Sequence, residues 1–237
     1  MLIRSCARFS ALLLGAVLCL FATAAPAAIV ADFSQDYTIS QVIANGGLQV
    51  GDKLFGNFQV TTNKTVNAVA PGASDISVRA VVVDGEYGLR FNGGWVALSN
   101  QIADTTIKFS VTADAPWMIE SNMLKMTAFG AAGGGVVSIS ENVYLQDPDV
   151  TTTDSVANKF VYYVNDTTKR LIDVQSFSPS ATIWVTKDVV VTGGTQVGGI
   201  AHLSEFYQSF GQVPEPATMA MLALGGIALL RRRRSQA

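Results

Sequence analysis

Thr105-Thr106-Ile107-Lys108-Phe109-Ser110-Val111 is the stretch whose reading decides the fold. Ile107, Phe109 and Val111 fall on one side of a two-residue period, and Lys108 and Ser110 on the other. That is the signature of a strand with one face in a core and one in water. The same alternation recurs at residues 76–83, 136–145, 160–164, 171–177 and 182–191, all rich in Val, Ile, Thr and aromatics. Gly, Asn, Asp and Pro punctuate these runs, as at Asn92-Gly93-Gly94 and Asp147-Pro148-Asp149. Helical spacing is confined to two short turns, near residues 39–44 and 203–210. Strands at this density with no helices to cover them predict an all-β chain, an antiparallel β-sandwich of jelly-roll-like form. A closed barrel is the alternative. No fixed repeat appears, which speaks against a β-solenoid.

Both ends differ from this strand-rich middle. Arg4 and Arg8 precede an unbroken apolar run over residues 11–21, and small residues fill 22–28. This pattern is that of a secretory signal peptide over residues 1–28, a substrate for signal peptidase. Cleavage after Ala24 and cleavage between Ala27 and Ile29 both fit. The run is too short to span about 30 Å of hydrocarbon. Cys6 and Cys19 both lie within it, and the bulky Leu18 disfavours a lipid anchor at Cys19. The body, residues 29–212, then has no cysteine, so it can form neither disulfides nor thiolate metal sites. Its 184 residues are enough for one domain with a sizeable core.

At the other end, Pro214 and Pro216 hold the backbone of Val213 and Glu215 extended. Residues 217–230 carry no charge and would make a helix of about 21 Å, short for a membrane span. Arg231, Arg232, Arg233 and Arg234 follow, a block that membrane potential and anionic lipid hold on the cytoplasmic side. The predicted organisation is therefore a signal segment 1–28, an ectodomain 29–212 and a tail 213–237 containing a short transmembrane helix.

Pro214-Glu215-Pro216, the short apolar segment and the arginine block together resemble the PEP-CTERM sorting tail of Gram-negative bacteria. The resemblance implies transient anchoring in the inner membrane and recognition by an exosortase, a membrane-embedded sorting enzyme. It also implies delivery to the cell surface or to an exopolysaccharide matrix such as a biofilm. The same tail is also catalogued as an ice-binding protein C-terminal domain. Ice-binding faces need regularly spaced Thr columns, whereas here Thr clusters at Thr61-Thr62 and Thr151-Thr152-Thr153 without a repeat. The body further resembles exported proteins of this kind in Gly51-Asp52-Lys53-Leu54-Phe55-Gly56-Asn57-Phe58, in Gly88-Leu89-Arg90-Phe91 with Trp95, and in Ser140-Glu141-Asn142.

The body carries 10 Lys plus Arg against 17 Asp plus Glu, about −7. That balance argues against nucleic acid as a partner. Chemistry has few footholds. A single histidine, His202, and no Gly-x-Ser-x-Gly elbow leave nucleophilic catalysis and zinc without support. Asp147, Asp149 and Asp154 crowd one loop, where a calcium site and a solvated turn are both readable. The sequence thus predicts no catalytic residue, metal or cofactor, and a structural or adhesive body. Trp95, Trp117 and Trp184 leave open a carbohydrate-binding module, and paired carboxylates a polysaccharide-active enzyme.

One residue breaks the pattern. Glu141 shares a face with Val137, Ile139, Val143 and Leu145. A carboxylate on a buried face needs a partner, and Lys53 and Arg90, each beside an inward Phe, are the candidates for an internal ion pair. A bulge turning Glu141 outward and a catalytic carboxylate of raised pKa are the other readings.

Overall fold

The computed structural model describes residues 27–216, apart from 152, 153 and 166, together with Met221. Two sheets stack face to face. The larger runs in the order β1 (Ile29–Val30), β3 (Leu48–Val50), β4 (Lys53–Lys64), β7 (Ile102–Ala113), β13 (Thr182–Thr192), β9 (Val136–Tyr144), β10 (Ala157–Tyr163), β11 (Lys169–Arg170). The smaller runs β12 (Ile172–Ser180), β8 (Trp117–Ala132), β14 (Ile200–Pro214), β6 (Glu86–Leu98), β5 (Ser77–Val83), β2 (Tyr37–Thr38). Pairing is antiparallel throughout, except for the two-residue match of β1 with β3. The fold is an antiparallel β-sandwich with open edges, not a closed barrel.

Period two is visible in burial. In β7 and β13 Ile107, Phe109, Val111, Ile183, Val185, Val189 and Val191 are all sealed from water. The helix α1 (Ile39–Ala44) falls where the sequence predicts a turn. It is opened by Thr38, whose side chain accepts from the Gln41 backbone, while the Gln41 side chain accepts from the Thr38 N–H. The helical turn expected over residues 203–210 is instead the middle of β14. Leu203, Phe206, Tyr207 and Phe210 have helical spacing, but a register shift between Leu203 and Glu205 brings Leu203 and Phe206 to the same inner side.

A second irregularity does the same work in β4. Phe55 and Phe58 are three apart, out of phase for a regular strand. Asn57 adopts φ 53° at a register shift between Gly56 and Gln59, so both rings enter the core. Phe58 stacks on Phe109 with centroids 5.0 Å apart, and Phe55 meets Phe210 at 5.6 Å across the sandwich. Phe91 lies flat on Phe206 at 4.8 Å, and Trp95 donates its Nε1–H to Thr105 Oγ1 at 2.9 Å. The aromatic set joins the two sheets.

Where β10 and β12 face each other across the sheets, side chains bridge the gap. Asp173 Oδ2 accepts the Phe160 N–H at 3.0 Å, and the Gln175 side chain bonds both the N–H and the carbonyl of Asn158. The freed backbone groups of β10 are thereby satisfied, which blunts that flank as a template for another strand.

Phe109 touches Phe55, Phe58 and Phe91. Phe109→Ala is expected to cost about 3–5 kcal/mol, read as a lower urea midpoint with unchanged slope.

Candidate functional site

Three places in the sandwich gather polar chemistry. The first is sealed inside it. Lys159, Glu141 and Lys187 lie directly opposite one another on β10, β9 and β13, Lys159 paired in register with Glu141 and Glu141 with Lys187. All three side chains are 0% exposed. Alternation forces them inward: Glu141 lies between Ile139 and Val143, Lys187 between Val185 and Val189, Lys159 between Ala157 and Val161. Glu141 Oε1 receives Lys159 Nζ at 2.9 Å and the Nδ2–H of Asn122 at 2.7 Å. Asn122, fully buried, comes from β8 in the opposite sheet, and its Oδ1 accepts from Lys159 Nζ. Glu141 Oε2 pairs with Lys187 Nζ, which also donates to Gln208 Oε1 of β14. Around Lys187 Nζ stand the rings of Phe91, Phe109 and Phe206, with centroids 5.2–5.7 Å away.

The charge count is uneven: two ammonium groups share one carboxylate. Burial pulls Lys187 down to about 8, Glu141 opposing the fall and the Lys159 charge adding to it. Glu141 is held low: burial works to raise it, and the two lysines outweigh burial. A catalytic carboxylate of raised pKa is therefore not what this position holds.

The expected partners of Glu141 lie elsewhere. Lys53 bonds Asp52 Oδ1 at 2.9 Å and Gln212 Oε1 at 2.5 Å. Arg90 sits on the outer face, 3.0 Å from Asp36 and 3.5 Å from Glu205. Lys53 is inward, but at a different end of the core, and Arg90 is out of phase with it. Lys187 was readable in the sequence, since it shares phase with Ile183, Val185, Val189 and Val191. Lys159 sits one residue before the strand expected from residue 160. Asn122 carries no such signal, because burial in β8 does not alternate there: Asn122, Met123 and Leu124 are all buried.

The second place is the start of the tail. β14 runs through Pro214, with a register shift between Gly211 and Gln212; Pro214 pairs with Trp117, and the Glu215 N–H donates to the Pro116 carbonyl at 2.7 Å. Gln212 Nε2 reaches Asp52 Oδ2 at 2.6 Å, completing an Asp52–Lys53–Gln212 knot between the first long strand and the last. Burial would raise the Asp52 carboxyl, but hydrogen bonds from Gln212 and Lys53 hold it below the usual range. The preceding Gly51 has φ 59° and carries the Tyr87 ring where a Cβ would stand, 2.4 Å away; only glycine fits. The apolar segment 217–230 (Met221 apart), Arg231–Arg234 and almost all of the signal segment lie outside the described residues. Among the described residues no helix is long and apolar enough to cross a membrane.

The third is the outer face of the larger sheet. Trp184 and Tyr144 are register partners there. Trp184, Gln59, Lys108, Thr186 and the loop Asp147-Pro148-Asp149 line one shallow pocket. The loop is held as a turn, with Asp147 Oδ1 accepting the Asp149 N–H at 3.0 Å and Lys108 pairing with Asp149 at 2.5 Å. Among the described residues no group of three or more metal-ligating side chains is assembled. His202 is exposed on β14 and packs over Gly130. Further along this face Asp104 lies against Asp188, and burial, then the hydrogen bond and charge of Asp188, push Asp104 up to about 6.

An antiparallel sandwich whose last strand runs into Pro214-Glu215-Pro216 is the body of an exported, tail-sorted protein. Residues 212–234 match the PEP-CTERM protein-sorting motif, and the chain carries that motif. The motif marks export, passage through a membrane, processing by an exosortase and sorting towards the cell surface. Comparison with curated proteins gave no match. Among solved structures the chain is similar to TmCBM61 in complex with beta-1,4-galactotriose, at 12% identity over 65% of this chain and 88% of that one, with TM-score 0.28. It is also similar to carbohydrate-binding modules of the beta-sandwich superfamily, at 13% identity over 65% and 56%, with TM-score 0.28. A third likeness is to the CBM22-1 xylan-binding domain from Paenibacillus barcinonensis Xyn10C, at 15% identity over 78% and 97%, with TM-score 0.23. At TM-scores this low the likeness says nothing of ligands.

Asp104 holds its proton up to about pH 6 in the fold but only to about 3.8 when unfolded. Its contribution is thus complete below about 3.8 and is lost as pH rises through 6. Asp188→Asn removes the repelling charge. The variant is expected to melt a few degrees above wild type at pH 7 and level with it at pH 4, by thermal scans at both pH values.

Proposed function

We propose that this chain is a non-enzymatic structural or adhesive protein of a Gram-negative cell surface or exopolysaccharide matrix. The single observation that carries the reading is the continuity of β14 into Pro214-Glu215-Pro216. No slack linker separates the sandwich from its sorting motif. While the tail is in the membrane the body is held close outside it, and a cut near the motif frees a complete sandwich. The acidic body, with its strands bonded along both sheets, needs no cofactor to stand in the extracellular medium. Its buried titratable groups are closed to any substrate, which favours a structural over a catalytic role. The outer face of the larger sheet is the surface offered to polysaccharide. There Trp184 and Tyr144 supply apolar rings, and Gln59, Lys108 and Thr186 supply hydrogen bonds.

Fractionation of the native host and sequencing of the mature C-terminus test the sorting half. Released protein ending near Pro214-Glu215-Pro216 is the expected result; full-length protein retained in the inner membrane would refute it. Matrix contact is tested separately, by retention of the released protein on the host's own exopolysaccharide. Trp184→Ala is expected to weaken it about tenfold, the effect of losing about 1.4 kcal/mol; equal retention removes this face from the proposal.

A further inference from the structure

The sealed cluster is arranged for a reaction between its own members. We propose that Lys159 and Asn122 join in an intramolecular isopeptide bond between the two sheets, with Glu141 as the proton carrier. The inference stands independently of the adhesive reading, since it concerns only what the folded core does to itself.

Three requirements of amide formation are met. The nucleophile is in place: Lys159 Nζ touches the Asn122 carboxamide at Oδ1, one bond from the Cγ it would attack. The proton carrier reaches both ends of the reaction, since Glu141 Oε1 lies 2.9 Å from the attacking Lys159 Nζ and 2.7 Å from the departing Asn122 Nδ2. Competing water is excluded, because Lys159 and Glu141 are 0% exposed in their side chains and Asn122 is 0% exposed as a residue. No outside substrate reaches such a site, so the only acyl group available to the lysine is that of its neighbour.

The steps balance without any co-reactant. Glu141 takes a proton from the Lys159 ammonium, leaving an amine whose lone pair attacks Asn122 Cγ while the carbonyl electrons move to Oδ1. When those electrons return, the Cγ–Nδ2 bond breaks, and Glu141 delivers its proton to Nδ2. The attacking nitrogen gives its second proton to the departing ammonia, and the products are a secondary amide and one ammonium ion. Charge is conserved, and the ammonium carries the surplus positive charge out of the core. Two buried cations against one anion become one against one, Lys187 with Glu141. Burying an unmatched charge is costly, so the reaction relieves the least favourable feature of the unreacted site.

Gln208 offers Lys187 a second carboxamide, but there the arrangement is incomplete. Gln208 Nε2 is buried without a hydrogen-bond partner and does not touch Glu141, so nothing can protonate it as it leaves. The geometry therefore selects Asn122 and Lys159. The bond would tie β8 of one sheet to β10 of the other, in a body that has no cysteine for a disulfide.

The folded wild-type protein, purified with the ends its cell gives it, is denatured, digested with trypsin and analysed by mass spectrometry. The expected product is one branched peptide joining residues 109–125 to residues 126–169, lighter than the two linear peptides by one ammonia, about 17 Da. Recovery of the linear peptides 109–125, 126–159 and 160–169 at unmodified mass, a free Lys159 being cut by trypsin, overturns the proposal. So does conversion of Asn122 to Asp, or a branch at Gln208. Lys159→Arg keeps the charge and removes the nucleophile, and should abolish the branch. Glu141→Gln should slow its appearance about 100-fold or more; an unchanged rate would overturn the role of Glu141. If neither variant folds, the wild-type map alone decides.

Discussion

Two lysines and one glutamate set side by side between the sheets impose the strongest constraint on this sandwich. Each charge needs the others, and each is delivered by a different strand. A slip of one residue in β9, β10 or β13 would move that strand's charge to the outer face and leave its partners unmatched inside. It would also turn the strand's apolar residues outward. The ion cluster and the hydrophobic pattern therefore specify the same register, and together they penalise every neighbouring alternative. Asn122 and Gln208 extend the requirement to the opposite sheet, so it governs how the layers lie on one another as well as how strands pair within one. The Phe91, Phe109 and Phe206 rings add an apolar wall around Lys187 that packs only in that arrangement.

How far the fold can be read from sequence depends on whether the two-residue period is kept. Where it is kept, in β5, β7, β9 and β13, the strands stand out and their inner faces can be named residue by residue. Where a bulge intervenes, the period fails locally and the eye substitutes another. The Leu203, Phe206, Phe210 spacing suggests a helix, yet the shift between Leu203 and Glu205 is what brings those side chains inward on a strand. The polar cluster was half legible on the same principle. Glu141 and Lys187 announce themselves as charges in apolar phase. Their mutual pairing does not, because it depends on β13 lying beside β9, a neighbourhood set by topology across more than forty residues of intervening chain. Asn122 belongs to a strand with successive buried residues, so phase carried no information about it.

Residues 213–215, where the tail begins, and the body are mechanically one object. The Asp52–Lys53–Gln212 knot fastens the end of β14 to the beginning of β4, and the Glu215 N–H bonds back to Pro116, so the sorting motif is presented from a fixed position on the sandwich. Pro214 fits there because it is the last paired residue of its strand. One residue further on the chain has only a single backbone bond to the body, and the motif is reachable. Sequence predicts a stiff, extended peptide at this point; the structure adds that its stiffness is inherited from the sheet.

A purely structural account of the cluster meets a difficulty. Leucine and methionine of matching volume fill such a space without desolvating any charge, and are often the more stable choice. A register lock needs only one ion pair, and Glu141 with Lys187 already provides it. The second lysine adds a positive charge beyond what the single carboxylate of Glu141 balances, and Asn122 is set between that lysine and that carboxylate, bonded to both. Their presence together is hard to explain by stability of the unreacted chain and easy to explain by chemistry, since the same pair that is a burden as separate groups becomes a neutral tether once joined. In a body without cysteine, that tether would do between the sheets what a disulfide does in other exported sandwiches. The cost of the cluster is then confined to the interval between folding and bond formation.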